Sequence, residues 1–306
     1  MLSSFFSKSK PINYIAVALY MALLFGIAHY KRGFELNSSY IFLTLLSLFV
    51  YILPMLGLNF VAQKNDLTNK GTFTILLYAF LTAMLPESLI SFPVLLSNVF
   101  VLMALQNILY MRNEKYIKAK ILNASICIAL ASLAYFWSIG FLFLVFLGVF
   151  FFEPKNYRNW IIPCIGISTV YVLTNCVTLI FYDSFFSIRS HIKPFSFSFQ
   201  NYLIKDHLFS VGVLLICVIF FFSIYLLKFG RKVAKNKPIV RIVIVYLILA
   251  IGIGVIAPEK NTSELFFITP PLALIGTTYL EIDYHPLVKE INVWVFIWLP
   301  FVLIFL

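Results

Sequence analysis

Residues Lys8–Tyr30 read KSKPINYIAVALYMALLFGIAHY, and the length of the apolar run after Pro11 sets the class of the protein. A helix needs about 20 apolar residues to cross roughly 30 Å of hydrocarbon. The stretch has the basic start and apolar middle of a secretory signal. Its core is long, however, and no small-x-small cleavage site follows, so it reads as a retained signal anchor. Runs of similar length recur to the end of the chain, and eleven helices are predicted around residues 13–29, 41–61, 72–86, 92–111, 121–136, 138–152, 160–181, 208–227, 240–256, 266–280 and 291–306. The 306 residues are 62% hydrophobic, with 34 Phe and 17 Tyr against 35 Lys, Arg, Asp and Glu, at a mean hydropathy of +0.97. Soluble domains carry about a quarter charged residues. The expected fold is therefore all-α, a polytopic transmembrane bundle of about eleven spans in one domain over 1–306, with the close pairs at 86–92 and 136–138 readable also as re-entrant turns.

The net charge of +11 follows the loops. With the N-terminus inside, 17 of the 23 Lys and Arg fall in inside segments such as RNEKYIKAK and KFGRKVAKNKPIVR, which is the asymmetry of the positive-inside rule. The C-terminus then lies outside, and the basic charge requires no nucleic acid. Three outside connections are longer than a hairpin needs: 30–39, 182–207 and 257–265. The second contains KPFSFSFQNYLI, whose alternation suits a segment at the membrane interface with Phe195, Phe197 and Phe199 dipping inward. Cys127, Cys164, Cys176 and Cys217 lie inside apolar runs without C-x-x-C spacing and read as packing residues.

No acid sits at the centre of a predicted span, which argues against an ion-coupled transporter. Asn98, Gln106, Asn107, Asn123 and Asn175 suit either a polar path or interhelical hydrogen bonds. Glu87, in MLPESLISFP, lies between Pro86 and Pro93 and reads either as a catalytic or substrate-binding carboxylate or as a surface turn. Lys31 and Arg32 precede Glu35 in the first outside loop. Two cations beside a carboxylate can hold a phosphate while the acid accepts a proton or a divalent ion, and the plainer reading is snorkelling at lipid headgroups. His29 and His191 border outside loops, and no H-x-x-H or H-E-x-x-H spacing predicts a metal site. Walker, G-x-G-x-x-G and G-x-S-x-G motifs are absent from the sequence.

The segments FFSKSKPINYIAVALYMALLF, VAQKNDLTNKGTF, NASICIALASLAYFWSIGFLF and YRNWIIPCIGI together resemble a family of uncharacterised multi-pass proteins of Bacteroidota, which implies a bacterial inner-membrane location and no activity. A more distant similarity is to polyprenyl-phosphate-sugar glycosyltransferases of the GT-C architecture. It rests on EKNTSELFFITPPLALIG, where Lys260 and Glu264 precede Phe266, Phe267, Pro270, Pro271, Leu272 and Ala273, and on Glu35, which stands alone where many of those enzymes have paired acids. The resemblance implies Glu35 as base and Lys31, Arg32 and Lys260 at the lipid phosphate. It also implies Glu264 placing Lys260 or the sugar, and a divalent metal ion as possible cofactor; apart from the resemblance, Glu87 at its helix break and His191 in the long loop are substrate-binding candidates. Pro270 and Pro271 would open the tenth helix toward a wet cavity.

Three functions remain open on sequence. A transferase predicts a cavity gathering Glu35, Glu264 and the 182–207 loop, with polyprenyl-phosphate lipid as partner. A non-catalytic subunit of an envelope secretion, motility or translocation assembly predicts an exposed apolar flank for other integral-membrane proteins. A lipid or glycolipid transporter predicts a polar groove lined by Asn98, Asn107 and Asn175.

Overall fold

The computed structural model describes residues 2–33, 37–69, 71–229, 237–258, 260–282 and 285–305. These are helices joined by turns and loops, with no strand among the described residues. Eight helices are long and apolar enough to cross a bilayer: Pro11–Arg32, Ser38–Lys64, Phe92–Asn113, Ile117–Ala134, Tyr157–Tyr182, His207–Lys228, Lys237–Ile256 and Leu287–Ile304. With this length and composition the chain is membrane-integral. In hydrocarbon every backbone N–H and C=O must be satisfied within the segment, and a helix does that.

In chain order the helices are α1 (Leu2–Phe6), α2 (Pro11–Arg32), α3 (Ser38–Lys64), α4 (Phe73–Ala83), α5 (Pro86–Ile90), α6 (Phe92–Tyr110), α7 (Ile117–Ala134), α8 (Leu142–Phe152), α9 (Tyr157–Tyr182), α10 (Ile188–His191), α11 (Lys205–Phe229), α12 (Lys237–Ile256), α13 (Thr269–Leu280) and α14 (Pro286–Phe305). The predicted regions all find a helix, and the differences lie at breaks. Pro86 starts α5, and Pro93 falls in the first turn of α6, so the chain between α4 and α6 steps sideways through one short helix. Proline lacks the N–H that would continue the helix before it and is harmless in a first turn. The predicted helix at 138–152 begins as 3-10 turns over Phe136–Phe141, and that at 266–280 begins as 3-10 turns over Ser263–Ile268. Pro270 and Pro271 occupy the first turn of α13 and are buried, so they face packed side chains rather than a wet cavity. Asn37 and Asn156 cap α3 and α9 by accepting from the backbone N–H of Ser39 (3.4 Å) and Arg158 (3.2 Å).

Burial follows composition. The whole of α4 and all of α13 but Tyr279 are buried, as expected of helices that are apolar on every side. The two lie together, with Thr277 Oγ1 donating to Thr74 Oγ1 at 3.2 Å. Around them run α2, α3, α6, α11, α12 and α14, while α7 packs on α6 and carries α9 on its other side. Most of α9 faces outward, and Cys164 and Cys176 lie exposed on it, whereas Cys217 is buried and Cys127 half-buried; all four are free thiols.

Between α9 and α11 the chain forms α10, then an extended run, then 3-10 turns over Gln200–Leu203. Ser196 N–H donates to Ile256 O (3.3 Å), which lays the run across the end of α12. Phe195 and Phe197 pack edge to face on each other at 5.7 Å and remain exposed, so of the three predicted inward aromatics Phe199 alone reaches a buried partner, Lys260.

Candidate functional site

The 257–268 connection between α12 and α13 is the organiser of one end of the bundle. The last carbonyls of a helix have no partner inside it. Here Lys260 folds back, and its ammonium donates to Gly254 O (2.9 Å) and Val255 O (2.5 Å), with the Phe199 ring centroid 5.0 Å away. A cation at a helix C-terminus also suits the macrodipole. Lys260 is 1% exposed, so the lysine that sequence places at a phosphate is a buried cap of α12. Thr262 then takes a left-handed conformation at φ +69°, a strained choice for a β-branched residue. Next comes Glu264, fully buried, whose Oε1 accepts from the phenol of Tyr202 in the 3-10 turns before α11. Burial raises the Glu264 carboxyl above its ordinary range, against the opposing pull of Tyr202, backbone N–H groups and Lys260. Burial lowers Lys260, against the pull of Glu264. Burial and Glu264 together raise the Tyr202 phenol.

Pro258 and the residues of the 260–263 turn face different recesses. On one side Thr262 lines a cleft of about 240 Å³ with Lys31, Arg32, Glu87, His207 and Ser210. Lys31 and Arg32 close α2, at the helix end that favours cations. Arg32 donates to Glu87 Oε2 at 3.5 Å with both side chains partly exposed, and the Lys31 ammonium donates to Ile304 O at 3.0 Å. His207 and Ser210 come from the first turns of α11. On the other side Pro258, Asn261 and Ser263 line a recess of about 270 Å³ with Tyr135, Trp137, His191 and Lys193. A third, apolar groove of about 230 Å³ runs between α11 and α12 and is headed by Phe199 and Tyr202.

The predicted site residues thus separate into three places. Lys31, Arg32 and Glu87 meet in the first cleft, His191 lies in the second recess, and Lys260 and Glu264 are buried beneath Phe199 and Tyr202. Glu35 lies outside the described residues. The long loop does reach Glu264, through Tyr202. His207, Ser210, Thr262 and Tyr202 were not among the candidates; His207 borders a span as His29 does, and no local pattern links it to Lys31. Asn98 bonds Tyr78 (3.5 Å), Asn107 bonds Met103 O (2.8 Å) and Asn175 accepts from Phe186 N–H (3.1 Å), so the three asparagines have separate local partners and form no shared groove.

Among the described residues no group of three His, Cys, Asp or Glu side chains could hold a metal ion. In the first cleft Glu87 is the carboxylate present and it faces Arg32, so these residues do not fit a protein-held divalent ion. No family model, no curated protein and no solved structure matches the chain.

Proposed function

We propose that the protein spans the bacterial cytoplasmic membrane eleven times, with the N-terminus inside, and transfers a sugar from a polyprenyl-phosphate-type lipid. The observation that carries this reading is the first cleft, where Lys31, Arg32 and His207 line one recess with a single carboxylate, Glu87, which pairs with Arg32. The neighbouring groove between α11 and α12 offers apolar walls for a lipid chain. The reading of eleven crossings adds to the eight long helices the shorter α4, the 136–152 segment and α13, each taken as a crossing. The bacterial membrane rests on the sequence resemblance and the orientation on the distribution of Lys and Arg.

In this mechanism the lipid phosphate takes Arg32 from Glu87, an exchange that costs little because exposed ion pairs are worth about 0–1 kcal/mol. Charge-assisted bonds from Arg32 and Lys31 then hold the phosphate. The freed Glu87 carboxylate accepts the proton of the acceptor hydroxyl. The hydroxyl oxygen bonds to the anomeric carbon, and the bond from that carbon to the phosphate oxygen breaks, its electron pair leaving with the lipid phosphate. Lys260 and Glu264 support the wall of the cleft without touching the phosphate.

The test uses the full chain in nanodiscs with a radiolabelled polyprenyl-phosphate sugar and native mass spectrometry. Glu87→Gln should retain the lipid and lose transfer, whereas Arg32→Gln should lose the lipid. A wild-type protein that neither binds the lipid nor transfers the sugar, or that purifies with a stoichiometric membrane partner on the exposed face of α9, would overturn the reading.

A further inference from the structure

The second recess has a composition unlike the first. Its floor is three consecutive aromatic residues, Tyr135, Phe136 and Trp137, at the break between α7 and the 136–141 turns. Tyr135 packs on Phe267 at 5.5 Å, and Phe136 lies edge to face with Trp137 at 5.7 Å and with His191 at 5.9 Å, so the aromatic wall is braced from behind. The opposite rim is polar. Ser263 Oγ donates to Asn261 Oδ1 at 2.7 Å, which orients the Asn261 amide and leaves its NH2 as a donor pair. His191 Nε2 lies 2.8 Å from Ser132 O. A carbonyl only accepts, so Nε2 carries a proton, and Nδ1 is the ring nitrogen left to a ligand. The indole N–H of Trp137 is buried and meets no partner among the described residues, although a buried indole N–H is normally paired. No carboxylate lines the recess.

We propose that this recess binds a single pyranose ring, the aromatic wall meeting its C–H face and Asn261 and His191 meeting its hydroxyls. A pyranose is amphipathic in the way the recess is: one face of axial C–H groups, an equator of hydroxyls that both donate and accept. Ligand sites are typically apolar or aromatic walls with a few placed polar groups, and sites for drug-sized molecules start at about 300 Å³. A recess of about 270 Å³ suits one ring rather than an extended glycan. A lipid tail would leave the Asn261 amide unpaired, and a phosphate would meet Lys193 but leave the three aromatic rings without a partner. The inference goes beyond the lipid-phosphate cleft and does not need it, because the 258–263 turn lies between the two.

The experiment is saturation-transfer difference NMR on the full chain in lauryl dimethylamine oxide, a detergent without a sugar headgroup, with methyl glucoside, methyl mannoside and methyl N-acetylglucosaminide as probes. At least one pyranoside should receive saturation from the wild-type protein. Trp137→Ala removes one ring of the aromatic wall and should weaken binding by about three- to tenfold, the worth of one aromatic contact. Asn261→Ala should do the same. Arg32→Gln, in the other cleft, should leave pyranoside binding unchanged while abolishing lipid-phosphate binding. No saturation transfer to any of the three probes would overturn the inference, as would binding that Trp137→Ala and Asn261→Ala both leave untouched. Either failure leaves the lipid-phosphate reading standing, and the loss of that reading leaves this one standing.

Discussion

Glu264 shows how burial reverses the expectation formed from a charged residue in a loop. Its neighbours Lys260 and Tyr202 are respectively four residues away and 62 positions back in the chain, and the second of these can be found only once the chain is folded. The carboxyl has a folded-state pKa above its ordinary value of 4.5, so the folded chain holds the proton more tightly than the unfolded one. Stability is then highest below about 4.5 and falls as pH rises through the window up to the raised value. Lys260, lowered from 10.5, acts with the opposite slope below that value: the folded chain holds its proton less tightly, so stability rises with pH between the lowered value and 10.5. Glu264→Gln should remove the acid-side slope, and thermal melts of variant and wild type across pH 4 to 8 check it; parallel curves would show that Glu264 is not the source. Arg32→Ala makes the opposite case. Its pair with Glu87 is exposed, so the melting free energy should fall by less than about 1 kcal/mol while lipid-phosphate binding is lost.

Helices meet where a small residue lets them approach, and here the sequence carried less than the structure. Gly166 is one of 12 glycines, and nothing in YRNWIIPCIGI marks it as special. In the fold a Cβ at Gly166 would sit 2.0 Å from Ser125 Oγ and 2.8 Å from Ser125 Cβ, because α9 crosses α7 at that point. Gly26, within α2, has nothing within 4 Å of the same added atom. Gly166→Ala should therefore destabilise the α7–α9 contact by about 1–3 kcal/mol, the cost of overpacking, and Gly26→Ala should be neutral or slightly stabilising. Detergent-melt midpoints of the two variants compare them directly, and equal midpoints would mean that α9 shifts to accept the methyl group. The long connection between α9 and α11 is an element of another kind, held by Tyr202 on Glu264, Phe199 over Lys260 and Ser196 on Ile256. Tyr202→Phe should speed amide exchange over 195–203 and leave α4 and α13 protected. Hydropathy located the eleven apolar segments, and not the short α1, α5 and α10, because burial in lipid is a property of composition. It did not locate the 3-10 starts at 136 and 263, which depend on what the turn packs against.

Across the whole molecule, the alternation of helices gathers the 183–204 and 257–268 connections and the 31–33 end of α2 at one end, as the linings of the clefts require. The opposite end is tied by Ser3 N–H to Glu290 (3.0 Å), Asn69 N–H to Glu281 (2.7 Å) and Lys120 to Tyr110 O (2.6 Å). Grouping by end was legible in the sequence, since each span reverses the chain. The division of one end into separate recesses by the 258–263 turn was not, because it depends on the strained backbone at Thr262 and on the fold-back of Lys260. Charge supplies the orientation: 17 of the 23 cations fall in the segments that the sequence reads as inside, Lys64, Lys120 and Lys289 among them, and the end that carries these three should face the cytoplasm. In a chain whose four cysteines are replaced by Ala, Ser184→Cys and Asn113→Cys place single thiols on exposed positions at opposite ends. A membrane-impermeant maleimide should label Ser184→Cys in intact cells and Asn113→Cys only after the membrane is opened. The reverse pattern would turn the clefts toward the cytoplasm and withdraw the proposed orientation, because the distribution of Lys and Arg would then have been overridden by some other feature of the chain. Labelling of both thiols in intact cells would argue against an odd number of crossings between residues 113 and 184, and so against counting three there, α7, the 136–152 segment and α9, where the eight long helices alone give two.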